Sequence, residues 1–170
     1  MENFLGLLDT SSRPINLSAA LIEEVKKARK QCDTAEISVE VPDEIYIEGA
    51  DFMSELFSNL LSNAVVHNDK PTPKASVTAR RSDGTVIVRV ADNGPGIPAE
   101  EKDRVLEWNV KGVDRPGTGP GLAIANTVAE RYGGTLWIED NDPEGTVMNV
   151  ELQLTSRTDP DAHRDEIQPS

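Results

Sequence analysis

Cysteine is almost absent from this chain. Cys32 is the only one in 170 residues, so an internal disulfide and a cysteine-built zinc cluster are both excluded. Histidine is scarce too, with His67 and His163 as the whole supply. Positive charge is short: 17 Lys and Arg stand against 30 Asp and Glu, a net charge of −13. That balance disfavours nucleic acid and anionic membranes as partners, because neutralising phosphates takes a basic surface. No apolar run is long enough to cross a bilayer. The opening residues, Met-Glu-Asn-Phe-Leu-Gly-Leu-Leu, lack the basic flank and length of a secretion signal. A cytosolic location is expected, with any membrane anchor lying upstream. No Walker A sequence is present, and no internal repeat. What remains is a soluble composition, 37% hydrophobic and 28% charged, at a length that suits one domain.

Residues 1–13 read as the remnant of an upstream helix with a linker. Leu17, Leu21, Ile22, Val25 and Ala28 recur at helical spacing, with Asn16 or Ser18 as cap. Ile37, Val39 and Val41 alternate with polar residues as a half-buried strand does, and residues 45–47 form a short second strand. The spacing of Phe52, Leu56, Leu60, Leu61, Ala64 and Val65 predicts a helix over 51–67, with Asp51 as its cap. Asn59 and Asn63 lie four apart and so share one face of it. Asn is a poor interior helix former, although a polar row beside an apolar stripe is also what a solvated face looks like. Two alternating runs, 75–81 and 86–90, make a hairpin whose second strand feeds Asp92. Residues 98–101 begin a short helix. Another helix spans 122–132 and stops at Gly133-Gly134, and a closing strand pair covers 135–139 and 146–154. Residues 155–170 carry no apolar pattern and are expected to be a disordered polar tail.

Two glycine-rich turns stand out: Asp92-Asn93-Gly94-Pro95-Gly96-Ile97, and Gly117-Thr118-Gly119-Pro120-Gly121-Leu122. Between them runs a polar connector containing Lys111, Gly112, Asp114 and Arg115. Glycine lets backbone amides approach a ligand closely. The second turn leads into a helix, whose free N-terminal amides and dipole suit phosphate. The arrangement reads as a nucleotide site under a lid. Its spacing is not Gly-x-Gly-x-x-Gly, and no strand leads directly into the second turn, so a dinucleotide fold is disfavoured. His163-Arg164-Asp165 mimics a protein-kinase catalytic loop by chance, because no Asn follows at the required distance.

The order is a helix with paired Asn, a hairpin, Asp-x-Gly-x-Gly, a connector, Gly-x-Gly-x-Gly-Leu, a helix and a strand pair. It resembles the ATP-binding catalytic domain of sensor histidine kinases, in the superfamily shared with gyrase, heat-shock chaperones and mismatch-repair ATPases. The resemblance covers about residues 14–154. Residues 56–64 look like the family's asparagine box, 92–97 like its first glycine box and 117–122 like its second. It implies an α/β (α+β) two-layer sandwich of the Bergerat type: a mixed, mostly antiparallel sheet of about five strands with helices on one face.

The resemblance also implies roles. Asp92 would accept the exocyclic amine of adenine, a donor that a carboxylate is built to read. Gly94, Gly96 and Ile97 would shape the base pocket, and Thr146 would support the base through water. Asn63 would offer a neutral oxygen to Mg2+, with Asn59 supporting the site; both carry the catalytic assignment. Hydrolytic branches of the superfamily place a Glu base at the position of Asn59, and an amide cannot take that proton. Gly117, Gly119 and Gly121 would present amides to the phosphates, with the Thr118 hydroxyl adding a donor, Leu122 completing the cofactor-binding set, and Lys111 and Arg115 stabilising phosphate charge as the lid closes. Leu106 and Trp108 would pack the lid root. Three departures stand out: Val66 replaces a common Lys, leaving His67 or Lys70 to face phosphate; Pro120 replaces a Leu; and the phenylalanine-rich box is poorly matched. Neither histidine has the context of a phosphoacceptor. The expected function is therefore transfer of the ATP γ-phosphoryl group to a histidine on a separate dimerisation domain, upstream or in trans, which in turn serves a response regulator. The alternatives are an anti-sigma-type serine kinase and a non-catalytic, nucleotide-gated interaction module.

Overall fold

Apolar periodicity and capping chemistry set the local structure of the chain. The computed structural model describes residues 13–49, 53–102, 104–106 and 121–155. The N-terminal remnant, the Asp51 cap, most of the connector and the polar tail lie outside the described residues.

Helix α1, Leu17–Gln31, starts where Asn16 Oδ1 accepts the Ala19 amide at 3.0 Å. It buries Leu17, Leu21, Val25 and Ala28. Strand β2, Glu36–Glu40, follows, then β3, Tyr46–Gly49. Helix α2 is α-helical over Met53–Leu61 among the described residues of the segment for which the apolar spacing predicts a helix. Residues Ser62–Val66 continue it as a π-turn, in which the His67 amide reaches back five residues to the Ser62 carbonyl at 3.0 Å. The hairpin is present as β4, Lys74–Ser82, and β5, Thr85–Asp92. Two short 3₁₀ turns, Ala99–Glu101 and Arg104–Leu106, follow it. Helix α3, Gly121–Arg131, ends as the Gly134 amide closes on the Ala129 carbonyl at 2.8 Å. Strands β6, Thr135–Asp140, and β7, Thr146–Gln153, complete the described chain.

The five-stranded sheet has the order β2-β4-β5-β7-β6, antiparallel except where β2 runs parallel to β4. Strand alternation sends Val77, Val86, Val88, Val90, Met148, Val150 and Leu152 to one face, all buried against the helices. The other face is polar, with Arg89 and Glu139 reaching toward each other over the buried Asn149. The fold is thus the expected two-layer α+β sandwich.

One element was not foreseen. Residues 13–16, partly read as linker, form strand β1 (Arg13–Asn16), which pairs antiparallel with β3 as Ile15↔Ile47 and its neighbours. Pro14 and a lone Ile15 carry no local strand pattern, and the pairing partner is distant in sequence. The small sheet joins the main one where Ile47 bridges Leu154.

Candidate functional site

Asp92 takes the last core-facing position of β5, directly after Val86, Val88 and Val90. Alternation alone aims its carboxylate inward, and only 4% of the residue is exposed. Oδ1 accepts the amides of Gly94 at 2.8 Å and Thr146 at 3.1 Å. Burial pushes the carboxyl up from 3.8 to about 6, against the pull of those two amides and the more distant charge of Lys70. At neutral pH the group is an ionised acceptor in a poorly solvated place. No described residue donates to Oδ2, so a ligand donor there gains both a hydrogen bond and relief of desolvation.

The turn after Asp92 stays shallow because Gly96 adopts φ +84°, beyond which Ile97 drops back into the core. The loop after β6 packs onto the same turn. Asn141 donates its side-chain amide to the Asp92 carbonyl at 2.7 Å and its backbone amide to the Gly145 carbonyl at 3.0 Å. Lys102 joins the two segments, at 2.8 Å from both the Ile97 carbonyl and Asp140 Oδ1. Lys70 pairs with Glu144 from the other side. Asn141 and Glu144 were missed in the sequence, where 140–145 reads as a simple connector, and so was Lys102 at the end of the 99–101 turn. Its Asn-Asp-Pro-Glu-Gly run signals a turn but does not say what the turn rests on.

The two carboxamides come from α2 and its extension. Asn59 sits on the last turn of α2, and Asn63 lies within the π-turn. Asn59 Nδ2 is buried, with no hydrogen-bond partner among the described residues. Its Oδ1 faces the start of α3, where a Cβ added to Gly121 would lie 3.1 Å away. Leu122, the next residue, is buried beneath. The residues that follow Asn63 and Asp92 in the chain, Ala64 and Asn93, are joined through one side chain. Asn68 Nδ2 donates to the Ala64 carbonyl at 3.0 Å and to Asn93 Oδ1 at 2.8 Å. The metal-side and base-side candidates therefore sit on the same end of the molecule.

Other candidates fare differently. His67 is exposed at the end of the π-turn, Val66 is exposed at 36%, and Glu55 faces solvent. Lys70 is on the Asp92 side, bound to Glu144. Thr146 is buried beside Asp92. Leu106 packs against the core and accepts Asn126 Nδ2 at 3.3 Å. Trp108, Lys111, Arg115, Gly117, Thr118 and Gly119 lie outside the described residues.

A buried strand-end carboxylate, two carboxamides on successive turns and a helix start beside them define a class. The sequence pattern of the family described as "Histidine kinase-, DNA gyrase B-, and HSP90-like ATPase" matches residues 48–156, and the chain belongs to that family. Its relatives are more particular. The sensor-like histidine kinase SenX3 of Mycolicibacterium smegmatis is 28% identical over 163 residues, covering 89% of this chain and 41% of its own length. The histidine-protein kinase/phosphatase MprB of Mycolicibacterium paratuberculosis is 33% identical over 137 residues, covering 78% of this chain and 26% of its own length. The solved structure of a mycobacterial sensor histidine kinase MprB matches with a TM-score of 0.76 at 26% identity, over 84% of this chain and 97% of that one. The chain thus spans about two fifths or less of these curated relatives' length.

Proposed function

We propose that this chain is the ATP-binding catalytic domain of a two-component sensor histidine kinase. It would transfer the γ-phosphoryl group of ATP to a histidine on a separate dimerisation domain, which then serves a response regulator, all in the cytoplasm. The observation that carries the reading is Asp92: buried, ionised at neutral pH, with one oxygen held by two backbone amides and the other without a donor among the described residues. That is an acceptor poised for an exocyclic amine. Gly94, Gly96 and Ile97 form the turn beneath the base, and Thr146 holds the opposite side.

The residues present fit a magnesium ion shared with phosphate. No group of three His, Cys, Asp or Glu among the described residues could cage a metal alone. Mg2+ keeps waters and phosphate oxygens as ligands and needs few from the protein. Asn63 would supply its amide oxygen, and the unpartnered Asn59 Nδ2 would find an acceptor in the phosphate oxygens beside Gly121. The ion would neutralise phosphate charge. The α3 N-terminus at Gly121 and Leu122 would add its free amides, with Gly117, Thr118, Gly119 and Lys111 of the connector closing from the other side. No carboxylate stands at position 59 to activate water, which favours transfer to an acceptor nitrogen over hydrolysis. The imidazole nitrogen attacks the γ-phosphorus, the bond to the β–γ bridging oxygen breaks, and ADP leaves.

Incubation with labelled ATP and a histidine-containing dimerisation domain tests this. Acid-labile label on that domain is the expected result. Acid-stable label would make the protein a serine kinase, and nucleotide binding without any transfer would make it an interaction module. Asn63→Asp is expected to leave metal-free ATP binding within about twofold while cutting Mg2+-supported transfer by about 10- to 100-fold. Titration calorimetry with and without Mg2+ separates the two effects.

A further inference from the structure

The side chain of Asn68 is saturated. Its Nδ2 donates to the Ala64 carbonyl at 3.0 Å and Asn93 Oδ1 at 2.8 Å, and its Oδ1 accepts the Lys70 amide at 2.9 Å. Each bond ends on a segment that bears on the site. Ala64 follows Asn63 in the π-turn, and its carbonyl would otherwise have no partner at the end of a helical segment. Asn93 follows Asp92. Asn93 is itself held, with Oδ1 accepting the Lys74 amide at 2.9 Å and Nδ2 donating to the Thr72 carbonyl at 3.3 Å. A π-turn is a strained widening of the helix that persists when its surroundings hold it. Here one carboxamide adds to the hold that buried Ala64 and Val65 give, and the same Nδ2 reaches the turn after Asp92.

We propose that Asn68 is a positioning residue that couples the base end of the pocket to the metal–phosphate end, by keeping the turn of Asn63 in register with the turn of Asp92. This rests on the nucleotide reading above and deepens it. The sequence contains the residue within Asn-Asp-Lys-Pro, where it looks like an ordinary helix breaker. If the two ends are coupled, magnesium tightens ATP binding partly because the adenine already orders the turn that carries Asn63, and the base benefits from the metal by the same factor.

The test compares Asn68→Asp and Asn68→Ala with the wild-type chain. Asp preserves the shape and the acceptor for the Lys70 amide but removes both donors; Ala removes all three contacts. Affinity is read by calorimetry for adenosine, for ATP with EDTA and for ATP with Mg2+, with far-UV circular dichroism confirming that each variant is folded. The expected result is that both variants bind adenosine within about twofold of wild type, while the Mg2+-dependent gain in ATP affinity falls by about tenfold, within the usual range of coupling between sites. A uniform loss across all three titrations means Asn68 only stabilises the fold and overturns the proposal. An unchanged Mg2+ gain overturns it equally. Should Asn68→Ala fail to fold, the near-isosteric Asn68→Asp carries the same comparison. If the wild-type chain binds neither adenosine nor ATP, the nucleotide reading itself fails, which the variant comparison alone would not show.

Discussion

Asp92→Asn is expected to weaken ATP binding by about a hundredfold at pH 8 and, in the same protein, to raise the stability of the nucleotide-free state. Both effects follow from one pair of oxygens. The amides of Gly94 and Thr146 converge on Oδ1, and a carboxamide oxygen still accepts both, though more weakly than a carboxylate does. The change falls on the other atom, where an acceptor becomes a donor facing the amine of the base. Donor then meets donor, in a place with little water to relieve it. The stability effect comes from charge. Burial holds the folded carboxyl at about 6, above its ordinary 3.8. Between those values the folded protein keeps a proton that the unfolded chain has released, so stability falls as pH rises through the window. Above it the buried carboxylate costs about 3 kcal/mol. The neutral amide removes that term. Urea denaturation at pH 8 should show the variant as the more stable protein, and between pH 4 and 6 its stability should lose the downward slope of wild type. ATP affinity of wild type should decline as pH falls below about 6, since the carboxylate is the form that accepts. A variant no more stable than wild type at pH 8 would mean that Asp92 is better solvated than its burial implies.

Gly145→Ala is expected to cost about 3–5 kcal/mol and to abolish nucleotide binding in whatever protein still folds. Gly145 has φ +116°, a conformation side chains rarely adopt. A Cβ there would lie 1.9 Å from the Asp92 carbonyl oxygen, 2.8 Å from its carbon and 3.0 Å from Asn93 Cα. All three are backbone atoms at or just past the end of β5, where Asp92 sits, so no flexible side chain can swing aside. Either the loop lifts from Asp92, losing the Asn141 contacts, or β5 bends and moves the carboxylate. Gly84→Ala is the control. Gly84 has φ +82°, yet nothing lies within 4 Å of its added Cβ, so it should cost only about 1 kcal/mol of backbone strain and leave binding intact. Chemical denaturation and a fluorescent ATP analogue read both quantities. Equal effects from the two variants would show that strain, not the close approach at Asp92, governs the loop.

Much of this could be read from residue order. The alternation from Val86 to Val90 predicts that Asp92 faces inward at a strand end, and the structure puts it there. The spacing of Asn59 and Asn63 places both on one face, and the glycine runs mark where backbone comes close. The clamp over Asp92 could not be read. Asn141 and Glu144 belong to a turn that looks like any other polar connector, and their contacts reach Asp92 and Lys70, 49 and 74 residues away, while Lys102 reaches into that turn at Asp140 from the far side of the first glycine turn. Lys70, considered for the phosphates, pairs with Glu144 in this structure, a direction that depends on where Glu144 lies. His67 is exposed at the C-terminal end of the π-turn, an element that the helical spacing alone does not reveal.

The sequence by itself determined the residue types and their local placement: a carboxylate at the end of a strand, two carboxamides four apart on one helix, and two glycine-rich turns, to which the family resemblance attached the proposed roles. Residue type and local period act over a few neighbours. Tertiary structure alone decided that Asn63 and Asp92 share one end of the molecule, that a single carboxamide spans them, and that Gly145 rests on the strand between. Such contacts join segments far apart in the chain, and only packing against a common core brings them within hydrogen-bond reach.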